Sequence, residues 1–234
     1  MSYVLNNDAA KLLSATLTGT TLTATQAKLL VFRAKFATID GLDILAELTN
    51  GSNLIMNVNA QTGVGTEGYF TPNSFATEWT GTLAGESTGS WQLLSCFMPA
   101  NSNGASLTIR HDRDGSNQTA TNTGTADTGN MMNFAIGHAS LPPDMLICEV
   151  GIFLPADVTA AAAIHTALYG GGFGRRLDAI GSVAAPTYYW PLLDNLNAVA
   201  GSPALTNTGS VASSTDMPTL RPRGRVSLLG VGAP

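Results

Sequence analysis

The chain has 234 residues, of which 44% are hydrophobic and only 12% are charged, so its composition excludes a disordered chain and favours a domain with a sizeable core. A formal net charge of −5 with 11 lysines and arginines excludes the broad basic surface of a nucleic-acid or anionic-membrane binder. No run reaches the roughly 20 apolar residues of a membrane span, and the first residues lack the pattern of a signal peptide.

Antiparallel strands are predicted along the first half of the chain. Alternating or β-branched apolar runs indicate a meander of three strands, at 28–39, 42–48 and 53–61. In the second run the alternation places the apolar side chains on one face and Asp43 and Glu47 on the other, solvent-facing side. The apolar set is Ile44, Ala46 and Leu48. Residues 62–90 are rich in Gly, Thr and Ser and indicate a long connection with some strand character.

The second half of the chain predicts further strands and one helix. The strands lie at 91–100, 106–112, 132–140, 145–155, 186–195 and 202–211. The run DVTAAAAIHTALYGGG changes period and predicts a helix over about 158–169, with Asp157 or Thr159 as N-cap and Gly170 as C-cap. Many short strands with one short helix favour an all-β fold, an antiparallel β-sandwich or jelly roll.

The strand pattern ends near residue 215, so we expect one domain over 1–215 and an extended C-terminal arm over 216–234. This arm holds the basic cluster of the sequence, Arg221, Arg223 and Arg225. It has no strand or helix pattern of its own. We therefore expect it to act as an assembly arm that docks on a neighbouring surface.

The two cysteines do not form a disulfide framework in a chain of this length. Cys96 and Cys148 each lie in an apolar run, which favours buried free thiols. A single bridge between neighbouring strands is the alternative that the sequence leaves open.

Five elements follow one another in a characteristic order between residues 88 and 170. They are WQLLSC, LTIRHDRDG ending in Asp114-Gly115, FAIG, CEVGIFLP with Glu149, and AAAAIHTALYGG. In this order they resemble the concanavalin A-like lectin/glucanase superfamily, in its laminin-G-like branch. The later run YYWPLLDN is similar to an aromatic strand of such domains in tailed-phage structural proteins. The resemblance implies a concanavalin A-like jelly roll and a place among virion structural proteins.

Asp112 and Asp114 stand two residues apart beside Gly115, which raises the question of a metal loop. A calcium loop of EF-hand type needs oxygen ligands at fixed spacing and a closing Glu, and this stretch has neither. The Asp-Gly pair instead favours a hairpin turn. Some laminin-G-like domains bind calcium on edge loops, so the resemblance implies at most a weak calcium site at Asp112 and Asp114 and no other cofactor.

Catalytic machinery is not indicated by the sequence. Glucanases of the resembled superfamily project carboxylates from one strand in an E-x-D-x-E pattern, because alternate strand residues share a face. The segment from Asp43 to Glu47 lacks the middle acid. The three histidines, His111, His138 and His165, lack the spacing of metal ligands, and no G-x-S-x-G motif is present. We therefore expect a protein that is not an enzyme.

The leading functional expectation is a structural protein of a tailed-phage virion, in capsid decoration or in the tail or fibre. Its expected partners are other virion proteins, such as the major capsid protein or tail proteins, and further copies of itself in a homo-oligomer. The alternative is a carbohydrate-binding, lectin-like module, in which Trp79 and Tyr69 stack on sugar rings of a host glycan. Trp91 and Trp190 lie in apolar strands and are expected in the core.

Overall fold

A computed structural model gives the fold of most of the chain. Its described residues are 2–17, 22–23, 26–50, 53–70, 79–84, 88–100, 106–123, 133–170, 174–180, 183–192, 196 and 202–219. Within these ranges only the backbone is described at 50, 53–55, 67–70, 79–82, 84, 106–107 and 122–123. The predicted assembly arm residues Arg221, Arg223 and Arg225 lie outside the described residues.

Strands make up most of the described chain. They are β1 (Ser2–Asn6), β2 (Leu12–Thr16), β3 (Lys28–Thr38), β4 (Leu42–Asn50), β5 (Asn53–Gln61), β6 (Gly65–Phe70), β7 (Trp79–Ala84), β8 (Trp91–Met98), β9 (Ser106–Arg113), β10 (Ser116–Thr123), β11 (Asn133–Ile136), β12 (Asp144–Phe153), β13 (Tyr188–Trp190), β14 (Thr206–Thr208) and β15 (Ala212–Ser214). Helix α1 (Val158–Tyr169) and a 3-10 helix (Leu177–Ile180) lie between β12 and β13. No helix in the described ranges is long and apolar enough to cross a membrane.

The strands form two antiparallel sheets, which confirms the predicted β-sandwich. The eight-stranded sheet has the order β10-β9-β8-β3-β12-β1-β15, with β13 also paired to β12. The seven-stranded sheet has the order β14-β2-β11-β4-β5-β6-β7. Strand β1 lies between β12 and β15, and Ser2 pairs with Ser214. The first and last strands of the described chain are therefore direct neighbours.

The core between the two sheets is built from alternate residues of each strand. On β3, Leu30, Phe32 and Phe36 point inward and are at most 1% exposed, because every second residue of a strand faces the same side. Trp190 of β13 stacks on Phe134 of β11 with ring centroids 5.0 Å apart, which joins the two sheets. Each such buried side chain contributes about 1.5–3 kcal/mol to folding.

Helix α1 covers the outer face of the eight-stranded sheet. Its N-cap is Asp157, whose carboxylate accepts a hydrogen bond from the backbone N–H of Ala160, and its C-cap is Gly170 with a φ of 58°. Both termini lie where the sequence predicts them. The helix packs against outward-facing apolar side chains of β3, β8 and β12: Leu29, Val31, Leu93, Phe97 and Phe153.

A β-bulge in β4 changes which residues share a face. The pairing with β5 shifts between Ile44 and Ala46, which adds one residue to the β4 side. Asp43 pairs with the core residue Ala60 and is 5% exposed, whereas Glu47 lies on the outer face of the seven-stranded sheet. The prediction that Asp43 and Glu47 share a solvent-facing side is wrong, because the inserted residue reverses the alternation between them.

The Asp-Gly hairpin and the free thiols are confirmed. Strands β9 and β10 pair from Arg113 and Ser116 outward, and Asp114 at the turn has a φ of 51°, a left-handed conformation that aspartate tolerates. Cys96 and Cys148 are buried and free. Burial raises the pKa of Cys96 to about 12, so its thiol stays protonated and inert.

Candidate functional site

The carboxylates of Asp112 and Asp114 are both bonded to donors of the protein itself. Asp112 is 2% exposed and accepts hydrogen bonds from Arg110, whose Nη2 lies 2.6 Å from Oδ1. Asp114 accepts a hydrogen bond from the backbone N–H of Leu93 at 2.9 Å. No group of three metal-ligating side chains occurs within the described ranges. A calcium site at this hairpin stays a prediction.

A buried hydroxyl and imidazole lie beside this hairpin, beneath helix α1. Ser95 Oγ and His165 Nδ1 are 2.8 Å apart, and His165 Nε2 lies 2.6 Å from the backbone oxygen of Asp114. The contact has the geometry of a nucleophile and its base. Ser95 is fully buried, however, and burial lowers the pKa of His165. The pair therefore joins the helix to the sheet and offers no surface to a substrate.

A second buried polar group ties the end of the helix to the same sheet, because Arg33 Nη2 donates to the backbone oxygen of Leu168 at 3.3 Å. Arg33 Nε lies 3.2 Å from Glu149 Oε2, and Tyr189 donates its hydroxyl hydrogen to Glu149 Oε1 at 2.8 Å. Glu149 is fully buried, and this burial raises its pKa while Arg33 opposes the shift. The acidic strand residue of the resemblance is thus a structural anchor of the fold.

The aromatic residues proposed for sugar stacking lie on the last two strands of the seven-stranded sheet. In the backbone register Tyr69 pairs with Thr80, and Trp79 pairs with Phe70. The side chains of Trp79 and Tyr69 lie outside the described part of the chain, so their stacking role stays a prediction.

The two tryptophans expected in the core have different environments. Trp190 is fully buried, as predicted. Trp91 is only partly buried and donates its indole N–H to Asp216 Oδ1 at 3.0 Å. Asp216 also accepts from Lys35 Nζ at 2.6 Å. Trp91 therefore helps to fix the chain just after β15.

A polar groove of about 260 Å³ lies on the outer face of the seven-stranded sheet. Leu13, Ala15 and Leu17 point into the core, so the alternate residues of β2 face outward. The strand register places these outward residues of β2 beside outward residues of β11, which in turn pair with outward residues of β4. The polar side chains that line the groove are Ser14, Thr16, Glu47, Thr49, Asn133 and Thr206.

Two asparagines of β5 continue this face beyond Glu47. Asn57 pairs with Glu47, and Asn59 follows two residues later; the intervening Val58 belongs to the core. Asn57 and Asn59 are only 3% and 4% exposed. Neither Oδ1 atom receives a hydrogen bond within the described part of the molecule. A buried amide oxygen without a donor costs about 1–3 kcal/mol. Because both oxygens are buried, they are not accessible to a ligand on the outer face.

Glu47, whose carboxylate lines the groove, is partly shielded from water. Burial raises the pKa of Glu47, and the nearby His138 opposes this shift. His138 Nδ1 accepts hydrogen bonds from the backbone N–H groups of Ser140 and Leu141, each at 3.1 Å.

A larger cavity, of about 450 Å³, lies between the end of β12, the start of α1 and residues 183–187. Phe153, Ile164 and several alanines line it, and Val183 at its rim is 51% exposed. Thr187 is the one side chain with a hydroxyl among its described lining residues. This cavity is suited to apolar groups and offers little to fix the orientation of a polar ligand.

The sequence signal for the groove was weak because its residues are dispersed. Ser14, Glu47 and Asn133 come from three distant strands and contain no motif. The usable signal is the alternation itself, since small neutral polar residues stand opposite core residues on each strand. Asn57 and Asn59 follow the same rule within the run NLIMNVNAQ.

Comparison with known proteins supports the fold. No family model and no curated protein matches the sequence. A proposed carbohydrate-binding protein from Bacteroides ovatus matches the structure with a TM-score of 0.59 and 11% identity, over 93% of this chain and 60% of that one. Domains LG4-5 of the mouse laminin alpha1 chain match with a TM-score of 0.47 and 12% identity, over 65% of this chain and 40% of that one. A pentraxin from Limulus polyphemus matches with a TM-score of 0.43 and 10% identity, over 62% of this chain and 76% of that one.

The chain spans less than two thirds of the Bacteroides ovatus protein and of the laminin segment. At these identities the matches concern the arrangement of strands alone. The two antiparallel sheets and the match over 93% of this chain identify the fold as a concanavalin A-like jelly roll, as the sequence resemblance implied.

Proposed function

We propose that the chain is a carbohydrate-binding module whose ligand lies on the outer face of the seven-stranded sheet. The observation that carries this proposal is the groove of about 260 Å³ on this face, which is lined by five neutral polar side chains and one carboxylate, Glu47. A sugar hydroxyl both donates and accepts, so it can pair with the hydroxyl and amide groups of the groove's threonines and Asn133.

Binding without catalysis fits the carboxylates of this sheet. A glycosidase of the common type needs two carboxyl groups on one face, about 5–9.5 Å apart. Asp43 faces the core side of its strand, and Glu47 is the one carboxylate among the described lining residues of the groove. The Bacteroides ovatus protein of the same fold, itself a proposed carbohydrate-binding protein, is compatible with this reading.

The proposal is tested with a glycan array followed by titration calorimetry on the best glycan. Asn133→Ala removes a donor and an acceptor from the groove, and we expect the dissociation constant of the glycan to rise about tenfold, or ~1.4 kcal/mol. Asn117→Ala is the matched control, because Asn117 is an exposed asparagine on β10 of the other sheet. Absence of binding to every glycan, or equal losses in both variants, contradicts the proposal.

Trp79→Ala and Tyr69→Ala extend the same test to the predicted stacking residues. Stacking on a sugar predicts a loss of affinity in both variants, because the ring face is removed. The display of this module on a virion, bound to capsid or tail proteins and to further copies of itself, stays a prediction. Mass spectrometry of purified particles and light scattering of the isolated protein test its two parts.

A further inference from the structure

Basic residues are divided unequally between the two sheets. The seven strands that carry the groove contain three carboxylates, Asp43, Glu47 and Glu67, and no lysine or arginine within their described bounds. The strands of the eight-stranded sheet hold five basic residues: Lys28, Arg33, Lys35, Arg110 and Arg113. The proposed binding face is therefore free of strand cations, although the other sheet is rich in them.

The groove itself has the same charge pattern. Its described lining residues are neutral except for Glu47. A ligand carboxylate placed about 4 Å from Glu47 meets a repulsion of about 1 kcal/mol in water and about 4 kcal/mol near a protein surface. Neither lysine nor arginine stands among those lining residues to offset this repulsion.

Hydrogen bonding to Glu47 gives the same preference. A hydroxyl donates and accepts, whereas an ionised carboxylate only accepts. Replacing a sugar hydroxymethyl group by a carboxylate thus removes a donor to Glu47 and adds a negative charge in the groove that this carboxylate lines.

We infer that this face selects neutral oligosaccharides and rejects uronic and sialic acids. The inference rests on the proposed function, and it names the ligand class from charge and donor count. Glu47 is the specificity-determining residue in this arrangement, because it supplies the charge within the groove that an acidic sugar meets.

The test uses matched pairs of oligosaccharides: those of glucose, galactose and mannose, and those of glucuronic, galacturonic and mannuronic acid. For the pair whose neutral member binds, we expect the acidic member to bind at least about tenfold more weakly at low salt. Glu47→Gln should reduce the ratio of the acidic to the neutral dissociation constant several-fold. Asp178→Asn, on the 3-10 helix against the opposite sheet, makes the same change in net charge and should leave the ratio unaltered.

The outcomes separate the two proposals. If an acidic oligosaccharide binds as tightly as its neutral partner, or if Glu47→Gln leaves the ratio unchanged, the selectivity is refuted while carbohydrate binding stands. If no member of any pair binds, both proposals are refuted. Both proposals are supported if a neutral oligosaccharide binds and if the ratio of the acidic to the neutral dissociation constant falls in Glu47→Gln but not in Asp178→Asn.

Discussion

Asp43 provides the sharpest test of the bulged strand. The bulge places its side chain on the core side of β4 with 5% exposure, near the carboxylates of Asp40 and Asp144. Burial, with a smaller contribution from these neighbours, raises the pKa of Asp43 from 3.8 to about 6; the backbone N–H of Asp40 opposes this shift. The folded protein therefore binds this proton more tightly than the unfolded chain does.

The sign of the pH dependence follows from these two pKa values. Below about pH 4 the carboxyl is protonated in both states, and its full contribution to stability is present. As pH rises from about 4 to 6 the unfolded chain releases the proton first, so stability falls, and above pH 6 the loss is constant. Two pKa units correspond to about 3 kcal/mol, and partial solvent screening reduces this to about 1–2 kcal/mol.

Asp43→Asn removes the charge and keeps the shape of the side chain. We expect the variant to be more stable than the parent by about 1–2 kcal/mol at pH 8 and equal to it at pH 4. Urea unfolding at both pH values, followed by tryptophan fluorescence, measures the difference, and the pH 4 pair is the internal control. A variant that is less stable at pH 8, or whose advantage does not change with pH, would refute the placement of Asp43.

Three further substitutions or reactions test the other layers of the fold. His165→Ala strips the Ser95 hydroxyl and the Asp114 carbonyl of a buried partner, so urea unfolding should show a loss of about 2–4 kcal/mol. Asp157→Ala removes the N-cap of α1 and should cost about 1 kcal/mol by the same measurement. The two buried thiols should resist a thiol reagent in the native protein and react in denaturant, whereas rapid native labelling would contradict their burial.

Local signals in the sequence were enough for the helix and the hairpin. Asp157, the alanine run and Gly170 define both ends of the 12-residue helix α1. Asp114-Gly115 defines the turn between β9 and β10 in the same way. These elements were predictable because cap and turn chemistry acts between residues that are close in the chain.

Features that depend on pairing between distant strands could not be predicted. The bulge in β4 puts Leu45 into the core in place of Ile44, and the alternation of LDILAEL gives no sign of the extra residue. Strands β1 and β2 were not predicted, because their residues acquire partners only from strands far along the chain: β12 and β15 for β1, and β11 and β14 for β2. The groove depends on these same pairings, so its residues could be recognised only after the sheets were assembled.

Because β1 pairs with β15, the first and the last strand of the sandwich lie side by side. Ser2 and Ser214 are one strand spacing apart, about 5 Å, although they are separated by almost the whole described chain. A short linker between these strands, with new ends opened at the exposed turn around Gly63 between β5 and β6, should preserve the core contacts. For the same reason a host protein can carry this unit as an insertion in a single surface loop, with entry and exit side by side.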